Sequence, residues 1–224
     1  MRANVPLFES LPHALQREIE GHIHVLLREK HFEGCGGLLL TDEMRVTIAA
    51  HAALLHVGRD HYFPRLITIL VYPESYTAPA TDREGHLVIE YEDERAGESW
   101  GRAGVIVLAW DEAQRRAHTL EHGDNVILHE FAHQLDSEDG RHDGVPLLDR
   151  PTDYAAWARV LAPEFQRLQA GESSGVLSDY GATNEAEFFA VATESFFEKP
   201  NQLRRKHPEL YSVLSRFYRL DPGS

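Results

Sequence analysis

Asp124 to Asp136 read DNVILHEFAHQLD. His129 and His133 stand four residues apart, so one helical turn of about 5.4 Å puts both imidazoles on the same face. Two neutral ring nitrogens at that spacing can share one divalent ion, and Glu130 between them is placed to act on a water at that ion. The neighbours support a helix. Asp124 is a suitable N-cap, and Ile127, Leu128, Phe131, Ala132 and Leu135 form an apolar stripe. His129, His133 and Asp136 share a different stripe, free to face a cleft while the apolar one packs. H-E-x-x-H is short enough to arise by chance in a chain with 14 histidines. A strongly apolar helix with two otherwise unserved imidazoles favours a zinc site over coincidence.

A zinc hydrolase needs a third protein ligand, with the fourth position left for water. The three-histidine pattern is absent, because Asp136 and Asp139 replace its glycine and third histidine, and His142 comes too late. A glutamate from a later helix is the alternative, and Asn184 opens such a helix, EAEFFAVATESFFEKP. Glu185 stands at its start, where water serves it. Glu187 and Glu194 are seven apart and share a face with Ala190 and Val191. Glu187 also fits a capping box with Asn184, but its small, apolar neighbours point it inward, where an ion would offset the cost of a buried carboxylate. Glu194 suits the task of orienting a ligating histidine through its other ring nitrogen, and Asp136 suits it equally. Tyr180, seven residues before Glu187, is either a loop-packing residue or a donor to an oxyanion. A second histidine pair, His118 and His122, lacks a carboxylate beside it and ends at Gly123.

The formal charge of −14 leaves no excess of Lys and Arg to neutralise phosphates or anionic lipid headgroups, which argues against nucleic acid and membrane partners. With 42% hydrophobic and 26% charged residues, the 224-residue chain has the composition of a globular protein, and without repeat or linker it reads as one domain over 1–224. The N-terminus lacks a signal-peptide apolar run, the longest apolar stretch is too short for a bilayer, and the single cysteine, Cys35, fits a reducing compartment. The expectation is a cytoplasmic protein.

Helical periods run over Pro12–Lys30 and from Asp42 to Leu55, where His51 reads as a satisfied partner and His56 as a surface residue. FEGCGGLLL reads as a turn into a short strand. Leu66–Tyr72 and Gly104–Trp110 read as buried strands, and His86–Asp93 as a half-exposed one. Later helices are expected over Tyr154–Gln169, interrupted near Pro163, then from Asn184 to Pro200, and over Pro208–Tyr218. The sum is an α+β fold: a layer of strands packed on the metal helix, with further helices.

HEFAHQLD followed by YGATNEAEFFAVATESFF resembles the Mlc titration factor A family of glucose-regulated zinc metallopeptidases. FEGCGGL, TDEMRVTIAA, LVYPESY, GESWGR, DGVPLL, YAAWARV and HPELYSVLSRFYRLDP carry the likeness along nearly the whole chain. The Y…EFFA portion is also similar to the catalytic domain of anthrax lethal factor. The resemblance implies one zinc ion on His129, His133 and Glu187, with Glu130 as general base and Tyr180 as an oxyanion-stabilising group. It implies a zincin-like fold, a small twisted mixed sheet over the metal helix, whose edge strand, assigned to His86–Asp93, lines a cleft for an extended peptide substrate. It also implies cytoplasmic peptidase activity on small peptides, and, for one member, binding of the glucose repressor Mlc.

Overall fold

The computed structural model of the chain describes residues 4–58, 62–74, 76–84, 87–95, 97–100, 104–117 and 124–223. Helices α1 (Pro6–Ser10) and α2 (His13–Glu29) lead into strand β1, His31–Gly34. This strand heads the FEGCGGLLL segment instead of following its glycines. Gly36 and Gly37 adopt positive φ of 59° and 83°, left-handed backbone that ends strand pairing and turns the chain. Thr41 then caps α3, Asp42–Leu54, by accepting the Met44 amide at 3.2 Å.

The two expected buried strands appear as β2, Thr68–Tyr72, and β6, Val105–Ala109. Between them run β3 (Tyr76–Glu84), β4 (Leu87–Arg95) and β5 (Gly97–Trp100). The main sheet has the order β1-β2-β6-β5; β1, β2 and β6 are parallel, with Ile69 opposite Phe32 and Ile106, while β5 runs antiparallel to β6. The fold is therefore α+β with a mixed sheet. The expected edge strand is corrected. Leu87–Arg95 pairs with β3 in a separate two-stranded ribbon, so β5, not His86–Asp93, is the antiparallel edge of the main sheet. His86 itself lies outside the described residues. Alternation in the sequence specified a half-exposed strand without naming its partner, and the strand just before it in sequence served its backbone groups.

Helix α4 (Trp110–Ala117) follows the sheet, then α5 (Val126–Asp136) and a 3-10 turn at Ser137–Asp139. The C-terminal part comprises α6 (Pro151–Gln169), a 3-10 turn at Asp179–Ala182, α7 (Glu185–Glu198), α8 (Pro200–Lys206) and α9 (Pro208–Tyr218). α6 is continuous through Pro163, contrary to the expected interruption. Pro163 is exposed, so water can serve the carbonyl one turn back that has lost its donor.

α5 is the pivot of the packing. It touches β5 and β6 on one side and α3 and α7 on others, and Ile127, Leu128, Phe131, Ala132 and Leu135 are each no more than 1% exposed. They join Ile48, Ile69, Val71, Ile106 and Leu108 in one contiguous apolar cluster that also takes in α6, α7 and α9. His56 belongs to this core, not to the surface as expected: it is fully buried, edge-on to Phe63 at 4.1 Å between ring centroids. On the far side Trp157, Phe189 and Phe217 stack edge to face at 5.3–6.0 Å, locking α6 and α9 onto α7.

Candidate metal centre

The cap of α5 is Asn125, one residue later than the sequence suggested. Its Oδ1 accepts the Leu128 amide at 3.1 Å. The side-chain nitrogen of Asn125 and the backbone amide of Asp124 both donate to Glu198, at 3.0 and 3.2 Å. This sets the helix phase so that His129 and His133 emerge together, their rings edge to face at 4.7 Å between centroids.

α7 runs antiparallel to α5 and presents three carboxylates to it. Glu187 meets His129 and His133, Glu194 meets His129, and Glu198 meets the N-terminal end. Positions 187, 194 and 198 share a helix face by their spacing, which is how residues distant in sequence come to oppose one turn of α5. Glu198 was not anticipated. Its position four after Glu194, within the same apolar helix, was the available signal.

The three predicted ligand residues converge. His129 Nε2 lies 3.0 Å from Glu187 Oε2 and 3.1 Å from His133 Nε2, and His133 Nε2 lies 3.4 Å from Glu187 Oε2. Ligand atoms about 2.0–2.1 Å from a tetrahedral ion are separated by about 3.3–3.4 Å, so this triangle fits a divalent cation. The donor chemistry fits too: two ring nitrogens pointing at each other and at a carboxylate need something positive between them. Among the described residues this is the one group of three or more His, Cys, Asp or Glu able to hold a metal.

Glu194 resolves the question left open between it and Asp136. His129 Nδ1 donates to Glu194 Oε1 at 2.6 Å, which leaves Nε2 to face Glu187. Asp136 is instead fully buried with Oδ2 accepting the Gly144 amide at 3.1 Å. Burial pushes its carboxyl up to about 6, and the Gly144 amide works against that shift. Asn184 does cap α7, accepting the Glu187 amide at 2.9 Å. The Glu187 side chain, however, is directed at the histidines.

The charges are strongly coupled. Burial alone would raise the Glu187 pKa, but His129 and His133 outweigh it and hold the carboxyl down to about 2. Burial opposes protonation of His129, yet Glu187, Glu194 and Glu130 together raise its pKa well above the ordinary imidazole value. Glu130 is 4% exposed and near enough to contribute to that shift. Tyr180 sits on the 3-10 turn before α7, 57% exposed, with its ring 5.9 Å from that of His129. Glu185 and His142 are exposed and outside the triangle. His118 and His122 lie outside the described residues.

Gly144 was missed by sequence reasoning. Its amide donates to Asp136, its carbonyl accepts Trp157 Nε1 at 3.1 Å, and a Cβ there would stand 2.3 Å from the Glu185 carbonyl. The loop after α5 thus joins α5, α6 and the start of α7, fixing the height of Glu187 against His133. The D-G pair at Asp143–Gly144 signalled a turn, but not this close approach.

The family described as glucose-regulated metallo-peptidase M90 matches residues 1–219. An uncharacterized protein of Synechocystis sp. is 44% identical over 224 positions, covering 97% of this chain and 81% of the relative. Proteins called Mlc titration factor A from Yersinia pestis and Yersinia pseudotuberculosis are 32% identical over 229 positions, covering 98% of this chain and 83% of theirs.

Proposed function

We propose, from the premise that this chain belongs to the glucose-regulated metallo-peptidase family M90, that it is a zinc-dependent peptidase acting on short peptides. The observation that carries the reading is the triangle of His129 Nε2, His133 Nε2 and Glu187 Oε2, with sides of 3.0–3.4 Å. His129, His133 and Glu187 would hold the ion. Two nitrogens and one carboxylate oxygen suit zinc, and three protein ligands leave a position for chemistry, unlike the four of a structural site. When bound, the ion supplies Lewis acidity, polarising the scissile carbonyl and acidifying the attacking water.

The chain's own residues do the rest. Glu130 takes the proton of the attacking water at its carboxylate and returns it to the leaving amine. Its burial keeps that carboxylate away from bulk water. Tyr180 on the lip donates from its phenol to the oxyanion as the carbonyl becomes tetrahedral. Glu194 fixes the His129 ring. The edge of the main sheet at β5, which lies against α5, would pair with an extended peptide. The reading is of one zincin-like domain working in the cytoplasm.

The test compares wild type with Glu130→Gln for metal content by elemental analysis and for hydrolysis of amino-acid and peptide chromogenic amides. One zinc per chain in both, with hydrolysis at least about 100-fold lower in the variant, is the expected result. A zinc-loaded variant with full activity would remove Glu130 from the mechanism. The panel also separates cleavage at the N-terminus from cleavage within the peptide. A second reading, favoured by the name of the Yersinia relatives, is a protein that binds a transcriptional repressor of the Mlc type with hydrolysis incidental. Capture of such a repressor by Glu130→Gln as well as by wild type would support it.

A further inference from the structure

Three side chains from other elements meet in a serine–histidine–carboxylate relay. His207, at the joint of α8 and α9, has Nδ1 2.8 Å from Glu164 Oε2 and Nε2 2.6 Å from Ser174 Oγ. Glu164, on α6, is 6% exposed, and its other oxygen accepts Arg167 Nη2 at 3.0 Å. A carboxylate only accepts, so Nδ1 carries the ring proton and the Nε2 lone pair faces the serine hydroxyl. That is the tautomer in which an imidazole takes a proton from a serine as it attacks.

The site is also accessible. Ser174 is exposed, and the group lies at a small surface cleft bordered by Leu168, Leu177, Arg167 and Glu172. The two leucines border the serine on an apolar side against which the methyl of an acetyl group can lie, and the Arg167 guanidinium, paired with Glu164, borders the same space. Ser174 Oγ also accepts the Val176 amide at 3.4 Å; anchoring of the loop accounts for the serine's own contacts, not for a buried carboxylate orienting the imidazole behind it. The letters GESSG at 171–175 match the serine-hydrolase elbow only as spelling: the segment joins a helix to a 3-10 turn, and the serine on His207 is not the central one.

We propose that Ser174, His207 and Glu164 form a second, metal-independent nucleophilic centre that accepts a short acyl group from an activated carboxylic ester. Ser174 Oγ bonds to the acyl carbon while its proton passes to His207 Nε2. The ester C–O bond breaks, and the leaving alcohol or phenol takes that proton. Water, deprotonated by His207, then attacks the acyl carbon, releasing the carboxylic acid and restoring the serine hydroxyl.

The probes are p-nitrophenyl acetate, for turnover, and diisopropyl fluorophosphate, whose P–F bond breaks as a stable adduct forms on an activated serine. Both are applied to the full-length, metal-loaded protein, with peptide mapping of the adduct. The expected adduct is on Ser174. It should be absent in Ser174→Ala, an exposed loop change that leaves the core intact, and form at least about 100-fold more slowly in His207→Gln. Acetate turnover should fall in parallel. Glu164→Gln, which keeps the shape but weakens the acceptor for Nδ1, should slow labelling at least about 10-fold, a readout that holds even if His207→Gln fails to fold. No adduct on Ser174, or an equal rate in a folded His207→Gln or Glu164→Gln, would overturn the proposal.

Discussion

Glu194 accepts the Nδ1 proton of His129 at 2.6 Å, and this one contact decides which ring nitrogen faces Glu187 and His133. Glu194→Gln keeps the shape but weakens the acceptor and allows the ring to turn. Metal affinity should fall about 10–100-fold, measured by competition with a chromophoric chelator. Unchanged affinity would mean that packing alone orients His129. Protons and a divalent cation compete for the same three atoms, because the carboxylates that favour a metal also raise the His129 pKa. Metal affinity should therefore fall as the solution is acidified, and calorimetry in buffers of different ionisation enthalpy should register proton release on uptake.

At the scale of elements, the site is a matter of how two antiparallel helices are held in register. Asn125 and Glu198 clamp one end of the α5–α7 pair, and Gly144 the other. Gly144 has φ of +72°, and an added methyl would press on the Glu185 carbonyl, two residues before Glu187. Gly144→Ala should cost about 2–3 kcal/mol in denaturant unfolding and weaken metal binding as well. Gly171→Ala is the control: its φ is +77° with nothing within 4 Å of the new Cβ, so only the backbone term of about 1–2 kcal/mol applies. Equal losses would show that the Glu185 carbonyl yields without consequence. The element boundaries also show where local reading stops. The H-E-x-x-H helix and the EFFA helix were legible because both carry strong apolar periods and polar caps. The pairing of β4 was not, since alternation describes a strand's two faces and says nothing of its neighbour.

For the molecule as a whole, an ion between α5 and α7 would tie segments more than fifty residues apart in sequence. Binding that favours the folded state stabilises by about 2.7 kcal/mol at a free ion concentration 100 times Kd. At about 2–4 °C per kcal/mol for a chain of this size, stripping the ion with a chelator should lower Tm by roughly 5–11 °C. Zinc should restore it, and Glu187→Ala should abolish most of the difference. A Tm indifferent to chelation in wild type would remove the ion from this site. The apolar faces of α5 and α7 are buried in the one core cluster, and among the described residues no helix is long and apolar enough to cross a membrane.

The sequence by itself determined the main helices, the two buried strands and the identity of the metal-binding candidates. Those follow from short-range period, capping chemistry and the i, i+4 spacing of His129 and His133, all properties of neighbouring residues. Only the tertiary structure decided that Glu194 rather than Asp136 serves His129, that Gly144 carries the junction of three helices, and that His56 is core. It also brought Ser174, Glu164 and His207 together. Each of these rests on contacts between segments far apart in the chain, where the register of one element against another selects among side chains that local pattern leaves equivalent.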